Sequence, residues 1–175
     1  MTFDHFLIRP LTTDDLHPYF ALVERNRKRL EDFFTGTVSR TRTLEDTQSF
    51  LADITARAEA RTYMPYVIVD GESNSLVGFL DLKNIDWSIP KSEMGAWMDA
   101  EYAGKGVATK AFQIFCDYCF QTFGFAKLFL RTHDSNLAAQ RLAESSGFER
   151  EGVLRRDYKT TSGELVDLIY YGRLA

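Results

Sequence analysis

Apolar residues along this chain change their spacing several times, and each change predicts a new secondary-structure element. A short apolar segment within residues 3–8 indicates a first strand. Two stretches with helical spacing follow at 12–30 and 43–58, and each begins with a threonine that has an aspartate three positions later, the signature of a capped helix start. The predicted inward residues are Leu16, Phe20, Val23 and Leu30 on the first helix, and Phe50, Leu51, Ile54 and Ala58 on the second.

The rest of the chain alternates between strand and helix patterns. Strand patterns occur at 66–69, 76–80, 93–99 and 127–131, and a final hairpin joins 148–158 to 165–171. Helical patterns occur at 107–123, which Gly124 ends, and at 137–145, which Asn136 opens. With no linker or repeat, residues 1–175 form a single predicted domain. The order of elements predicts an α/β (α+β) fold with a mixed, mostly antiparallel sheet of about seven strands and about four helices.

Two polar regions flank these elements. A looser loop is predicted at 84–92, between two strands. Arg25, Arg27, Lys28 and Arg29 are expected on the solvated side of the first helix, with a substrate contact as the alternative. In the strand 93–99, alternation places Met94, Ala96 and Met98 on one face, opposite Glu93, Gly95 and Trp97.

Composition narrows the class of protein. The chain has 175 residues, 45% of them hydrophobic, which is ordinary for a globular domain. A net charge of −4 argues against non-specific nucleic-acid binding. No apolar run approaches the length of a membrane span, and the first residues lack the pattern of a signal peptide. We therefore expect a cytoplasmic protein with no membrane partner, either a monomer or a homodimer.

Cys116 and Cys119 form a C-x-x-C spacing inside the predicted helix 107–123. Such a pair serves redox chemistry or supplies half of a metal site in some proteins. Here there is no second pair, and the cysteines lie in the middle of the helix rather than at its start, where a thiolate would be stabilised. We expect two buried thiols on one helix face and no metal site.

The most informative segment joins the strand 93–99 to the helix 107–123. It contains Gly104, Lys105 and Gly106, followed by Val107, Ala108 and Thr109. The first N–H groups of a helix have no partners within it and lie at the positive end of its dipole, so this arrangement predicts a phosphate-binding site. Glycines without a Cβ atom let a ligand approach the backbone closely.

Two familiar nucleotide motifs do not fit this loop. A P-loop ends in Gly-Lys-Ser/Thr, whereas Val107 and Ala108 follow Gly106. A dinucleotide fingerprint needs a third small residue where Thr109 stands, and an acidic residue at the end of the next strand, where this chain has 131-Arg-Thr-His-133.

Taken together, the motifs resemble a known family. The order of strand, Gly104–Ala108 loop, long helix, strand, Asn136, short helix, Gly147-Phe148 and hairpin is similar to that of the GNAT N-acetyltransferases. More narrowly, it resembles the RimJ/RimL branch, which acetylates the N-terminal amine of ribosomal proteins. The further segments that carry the likeness are 93–99, 136–139 with 146–152, and 23–30, which is similar to the "ERNR…L" helix of that branch.

The resemblance implies acetyl-CoA as the co-substrate, with no metal. The backbone amides of Gly104, Lys105, Gly106, Val107, Ala108 and Thr109 would hold its pyrophosphate. The sheet would splay between the fourth and fifth strands, and the pantetheine arm would pair with the open strand edge near Trp97 and Met98. Asn136 would hydrogen-bond this arm, a role compatible with the helix cap that the residue pattern itself predicts.

Direct acetyl transfer requires a neutral amine, a donor for the oxyanion and a proton for the leaving thiolate. A backbone N–H near Met98 is the expected oxyanion donor. Glu93 is the first candidate base, directly or through water, against the alternative of a solvated residue at a strand end. Asp157 is the second candidate, and His133 is expected to be a residue of a strand end or loop.

The proton donor for the thiolate is less obvious. The family often has a tyrosine where this chain has Ala143, and the RimJ/RimL branch often has a serine where it has Ala139. Tyr158 is then the candidate donor, with water as the alternative. Glu101 also stands where the family commonly has Arg or Gln.

The resemblance thus implies an N-acetyltransferase that acts on a primary amine, either a protein N-terminus such as that of a ribosomal protein or a small-molecule amine. A non-catalytic acyl-CoA-binding or sensing module is the alternative, because the two hydroxyl positions hold alanine. A redox protein built on the two cysteines is a third, less favoured interpretation.

Overall fold

One eight-stranded sheet organises the chain, and the computed structural model describes residues 1–175. Its strands are β1 (Thr2–Phe3), β2 (Phe6–Pro10), β3 (Met64–Asp70), β4 (Ser75–Asp86), β5 (Lys91–Met98), β6 (Lys127–His133), β7 (Glu149–Lys159) and β8 (Leu165–Leu174). The helices are α1 (Leu16–Leu30), α2 (Thr35–Ser39), α3 (Leu44–Glu59), α4 (Val107–Phe123) and α5 (Leu137–Ser145). Single 3-10 turns occur at Thr13–Asp15 and Ala100–Tyr102.

The strand order in the sheet is β1-β2-β3-β4-β5-β6-β8-β7. Neighbouring strands are antiparallel except for β5 and β6, which run parallel with α4 as their crossover. The mixed, mostly antiparallel sheet is therefore confirmed. None of the helices has the combination of length and apolar character that a membrane crossing needs.

The element counts and the bounds of one loop differ from the sequence prediction. There are eight strands rather than about seven, because Asp4, with φ +47°, turns the first strand back on itself to form the hairpin of β1 and β2. There are five helices rather than about four, because α2 has only five residues and is too short to show a periodic pattern. The predicted loop 84–92 shrinks to 87–90, since β4 runs to Asp86 and β5 begins at Lys91.

Two apolar cores lie on opposite faces of the sheet. The larger packs α4 and α5 against one face and includes Met94, and the smaller packs α1 and α3 against the other and includes Trp97. The predicted alternation along β5 is thus confirmed. On α1 the structure buries Tyr19 rather than Phe20 as the aromatic residue of the inward face. Hydropathy favours phenylalanine over tyrosine, but Tyr19 has the helical spacing that matches Leu22 and Val23.

Asp15 ties the start of α1 to β2 and gives the fold a pH-dependent contact. Its carboxylate accepts hydrogen bonds from Arg9 at 2.8 and 2.6 Å and from the Thr12 N–H at 2.9 Å. Burial on its own raises the pKa of Asp15, but the hydrogen bonds and charge of Arg9 and the Thr12 donors outweigh it, so the pKa lies below its ordinary value. This carboxylate therefore stabilises the fold above an unfolded-state pKa of about 3.9, and its contribution is lost as the pH falls through the lower folded pKa.

We expect Asp15→Asn to lower the free energy of unfolding at pH 7 by about 2 kcal/mol, the scale of charge-assisted hydrogen bonds. The difference from the unmodified protein should shrink at pH 3, because this is below the ordinary pKa of an aspartate and the unfolded chain there binds a proton at Asp15 that the folded chain resists. Urea unfolding at both pH values measures this. An equal difference at pH 7 and pH 3 would contradict the assignment.

Candidate functional site

The sheet opens at the boundary between β5 and β6. These strands pair only at Lys91 with Lys127, Ser92 with Leu128 and Glu93 with Phe129. Beyond Glu93 they separate, while β5 stays paired with β4 as far as Met98. The part of β5 from Met94 to Met98 thus has a free edge, at the position where the resemblance expected the sheet to splay.

The backbone groups on this edge can be assigned from a single hydrogen bond. The Asp99 N–H donates to the Val77 carbonyl on the β4 side, at 2.8 Å. Alternate residues of a strand direct their backbone groups to opposite sides, so Asp99 and Trp97 face β4, and Met98 and Ala96 face the gap. The Met98 carbonyl already accepts a hydrogen bond from Arg29 at 3.3 Å. Of the two backbone groups of Met98 in the gap, the N–H is therefore the one that remains available to a ligand. Trp97 has its backbone toward β4 and its indole buried, although it also lines the adjoining cavity.

The glycine loop and the start of α4 lie beside this edge. Gly104 and Gly106 have φ of +73° and +77°, which L side chains rarely adopt, and Gly106 is the N-cap of α4. No side chain caps the helix, so the N–H groups of Val107, Ala108 and Thr109 keep their bonding capacity. A Cβ atom at either glycine would meet nothing within 4 Å, so the free protein requires glycine for its backbone angles rather than for space.

Contacts from distant strands fix the loop. The Tyr102 hydroxyl donates to Asp70 of β3 at 2.6 Å, and this hydrogen bond lowers the pKa of Asp70. Asp99 caps the 3-10 turn before the loop by accepting from the Glu101 N–H at 3.2 Å. Lys105 lies over the Tyr102 ring, 5.4 Å from its centroid. The phosphate-binding candidate is therefore held in position before any ligand arrives.

The basic segment of α1 binds the end of β5. Arg25 pairs with the buried Asp99, and the Asn26 amide oxygen accepts from the Ala100 N–H at 3.0 Å. Arg27 donates to the carbonyls of Val38 and Thr41. The expected solvated side is confirmed for Arg25, Lys28 and Arg29, which are exposed, whereas Arg27 is half-buried. The arginines nevertheless donate to backbone carbonyls and to a buried carboxylate, because their long side chains reach these groups from the helix surface. Lys28 alone of the four has no such contact, and it lines a cavity.

Two adjoining cavities occupy the opening. The larger, of about 710 Å³, runs from the glycine loop and the start of α4 along the free edge of β5. The smaller, of about 180 Å³, lies between β5, β6 and the segment that joins α1 to α2. Both are lined by Asp32, Phe33, Phe34, Ala96, Asn136, Ala139 and Leu142. A ligand in one cavity would thus contact a ligand in the other.

Asn136 lies where the cavities meet. Its side-chain oxygen accepts from the Ala139 N–H at 3.1 Å, which confirms the predicted cap of α5. Its side-chain nitrogen has no hydrogen-bond partner in the protein and is free to donate to a ligand. Asn136 therefore performs the capping role and remains available for the predicted coenzyme contact.

The two candidate bases bind the same arginine. Arg131 donates to Glu93 at 2.9 and 3.3 Å and to Asp157 at 2.9 Å. Glu93 is only 3% exposed, so it is not the solvated residue considered from sequence, and Asn84 donates to it at 2.6 Å. Burial acts to lower the pKa of Arg131, but the hydrogen bonds and charges of Glu93 and Asp157 together raise it. In this structure both carboxylates form ion pairs with Arg131. A role for either of them as the base that accepts the amine's proton stays a prediction.

Tyr158 lines the smaller cavity, but its hydroxyl is engaged. It donates to the Thr35 hydroxyl at 3.0 Å and accepts from the Thr35 N–H at 3.3 Å, which joins β7 to the first residue of α2. His133 ends β6 and lines the same cavity, with its ring 6.0 Å from that of Phe33. Ala139 lines both cavities and Ala143 is buried, so neither supplies a hydroxyl.

The sequence does not predict a role for two residues of the site. Arg131 stands out in the sequence only as a non-acidic strand end, although the resemblance places its strand next to that of Glu93, which is a usable signal. Asp32 follows a helix, and nothing in its local pattern separates it from other polar residues there. Cys116 and Cys119 are buried, as expected, and form no disulfide, and burial raises the pKa of Cys116 to about 12. Such thiols are not poised for redox chemistry.

Comparisons with known proteins identify the family to which this fold belongs. The family described as Acetyltransferase (GNAT) domain matches residues 5–149. A putative ribosomal N-acetyltransferase, YdaF, of Bacillus subtilis is 29% identical over 174 residues, which are 98% of this chain and 92% of YdaF. The crystal structure of ribosomal-protein-S5-alanine acetyltransferase from Vibrio fischeri superimposes with a TM-score of 0.91 at 20% identity, covering 99% of this chain and 95% of that one.

A second solved structure is the ribosomal L7/L12 α-N-protein acetyltransferase RimL in complex with coenzyme A. It has a TM-score of 0.88 at 18% identity, covering 99% of this chain and 96% of that one. The family match spans most of the chain and includes β5, the glycine loop and α5. This chain therefore belongs to the GNAT acetyltransferase family and is an acyltransferase enzyme.

Proposed function

We propose that this enzyme binds acetyl-CoA in the larger cavity and transfers its acetyl group to a primary amine in the smaller one. The coenzyme's diphosphate would lie on the N–H groups of Gly104 to Thr109, and its pantetheine arm would follow the free edge of β5. The acceptor would be a protein N-terminal α-amine or a small-molecule amine. The ribosomal-protein acetyltransferases among the relatives support the first of these.

The observation that carries the proposal is the free edge of β5 beside an uncapped helix start. Unpaired strand groups bind an extended ligand as an added strand would, and Ala96 and Met98 provide these groups in the gap. The N–H groups of α4 suit the diphosphate, and the side chains of Lys28, Arg29 and Arg141 add positive charge around the same opening. A cavity of about 710 Å³ is in the size range of cofactor sites.

The chain's own residues suit direct transfer. The Met98 N–H faces the gap and is positioned to donate to the oxygen of the thioester as it becomes negative. An α-amine has a pKa of about 8, so a usable fraction is neutral near pH 7 without a strong base. Glu93 and Tyr158 line the acceptor cavity and Asp157 binds Arg131 of the same cavity, whether or not one of these three also moves a proton. With Tyr158 engaged by Thr35, water is the simplest proton source for the leaving thiolate.

The direct test combines calorimetry with a thiol-release assay. We expect one acetyl-CoA to bind per chain, and free coenzyme A to appear only when a primary amine is present. A peptide with a free N-terminus is the test acceptor, and the same peptide with an acetylated N-terminus is the control. Absence of acetyl-CoA binding would overturn the proposal. Binding without turnover on any amine would favour the non-catalytic acyl-CoA-binding alternative.

A further inference from the structure

Asp32 lies where the two cavities meet, on the segment between α1 and α2. An acetyl group that reached the end of the larger cavity and an amine that filled the smaller one would come together beside this carboxylate. Asp32 is the only acidic residue that lines both cavities. Its position therefore places a negative charge at the point where the proposed transfer occurs.

The other carboxylates around the opening are already neutralised. Glu93, the only other acidic residue lining the smaller cavity, is bound by Arg131 and has Lys83 at 3.8 Å. Asp157 is bound by Arg131, and Asp99 by Arg25. No protein group donates a hydrogen bond to Asp32 or forms an ion pair with it. An incoming ammonium group would thus meet one free carboxylate.

The segment that carries Asp32 is fixed at both ends. The Phe34 N–H donates to the Leu30 carbonyl at 2.7 Å, which continues the end of α1. On the other side, Tyr158 of β7 holds Thr35 through the two hydrogen bonds described above. Asp32 therefore sits on a turn with supported ends, and Phe33 and Phe34 beside it form an aromatic wall that suits the carbon atoms next to an amine.

The remaining charges in the smaller cavity oppose a second cationic centre. Lys83 and Arg131 both line it, and Glu93 is the one carboxylate there besides Asp32, so the rest of the lining has one positive charge in excess. A polyamine that placed one amine at Asp32 would bring its next positive charge toward this lining. A peptide α-amine has no such difficulty, because the groups that follow it are neutral amides. The cavity is thus matched to an acceptor with a single positive charge.

On the basis of the proposed function, we infer that Asp32 binds the acceptor's amino group and that the enzyme selects amines with one positive charge over polyamines. The carboxylate accepts an N–H hydrogen bond from the ammonium or the neutral amine, which leaves the lone pair of the neutral amine free to attack. A nitrogen–carbon bond then forms as the carbon–sulfur bond breaks. The amine loses one proton to water, and the sulfur of coenzyme A gains one.

The test measures steady-state kinetics of Asp32→Asn with short peptides that have free N-termini and neutral side chains. We expect KM for the peptide to rise about tenfold with kcat nearly unchanged, the effect of losing one charge-assisted hydrogen bond. Acetyl-CoA affinity, measured by calorimetry, should not change. The matched control is Glu31→Gln, which removes the same charge from the neighbouring exposed residue that lines neither cavity and should behave like the unmodified enzyme.

Selectivity is tested with spermidine. The unmodified enzyme should use the peptides with a kcat/KM at least tenfold above that for spermidine, and Lys83→Gln should narrow this difference by lowering KM for spermidine. An unchanged peptide KM in Asp32→Asn would overturn the role of Asp32, and a preference for spermidine would overturn the charge selection. Both results leave the acetyltransferase activity intact, whereas failure of the unmodified enzyme to release thiol with any amine would overturn the proposed function as well.

Discussion

Arg131→Met is expected to lower the free energy of unfolding by about 3 kcal/mol or more, because it leaves the buried carboxylate of Glu93 without its main partner. Glu93 has 3% of its surface exposed and accepts two hydrogen bonds from Arg131. Lys83, at 3.8 Å, is too distant to replace a direct hydrogen bond. The variant would also remove the ion pair between Arg131 and Asp157, but Asp157 is exposed, so the loss of this pair lowers the free energy of unfolding only a little.

Urea unfolding measures this loss, and the chain offers a matched control. Arg40 forms an ion pair with Asp53 in which both side chains are nearly half exposed, so Arg40→Met should cost no more than about 1 kcal/mol. A double variant with Arg131→Met and Glu93→Met removes both charges from the buried pair and should recover much of the lost stability. If Arg131→Met lowered the free energy of unfolding no more than Arg40→Met does, the ion pair between Arg131 and Glu93 would not stabilise the fold as expected.

Gly106→Val is expected to weaken acetyl-CoA binding by about 100-fold or more. Gly106 has φ +77°, a conformation that a β-branched residue adopts only with strain of about 1–3 kcal/mol. The strain is relieved by rotating the loop, which turns the N–H groups of Val107 to Thr109 away from the diphosphate. Each charge-assisted hydrogen bond is worth about 1.5–3 kcal/mol, so the loss of one or two accounts for the expected change.

The other end of the same helix provides the control. Gly124 follows α4 with φ +69°, and an added Cβ atom there would also meet nothing within 4 Å. Gly124→Val should therefore cost a similar amount of stability while leaving acetyl-CoA affinity unchanged, since Gly124 lines neither cavity. Calorimetry on both variants separates the two effects. Equal losses of affinity would mean that the loop amides have no specific role in binding.

Much of the local structure could be predicted from the sequence, because it depends on residues close together in the chain. The bounds of α4 follow from Gly106 and Gly124, whose positive φ values begin and end the helix. The caps of α3 and α5 follow from Thr43 and Asn136. The short elements could not be predicted in this way. Helix α2 has too few residues for a periodic pattern, and the first predicted strand is split into β1 and β2 by the positive φ of one residue, Asp4.

In the candidate site too, features formed by neighbouring residues could be predicted and contacts between distant residues could not. The sequence by itself determined the glycine loop at the start of α4, because glycines and a helix start are adjacent in the chain, and with the family resemblance it made Glu93, Asp157 and Tyr158 the candidate catalytic residues. Only the tertiary structure decided what these side chains contact. Glu93 and Arg131 are 38 positions apart, and Tyr158 and Thr35 are 123 positions apart. These contacts follow from the order of strands in the sheet and from the point where β5 and β6 separate, which bring distant residues together and which no local pattern encodes.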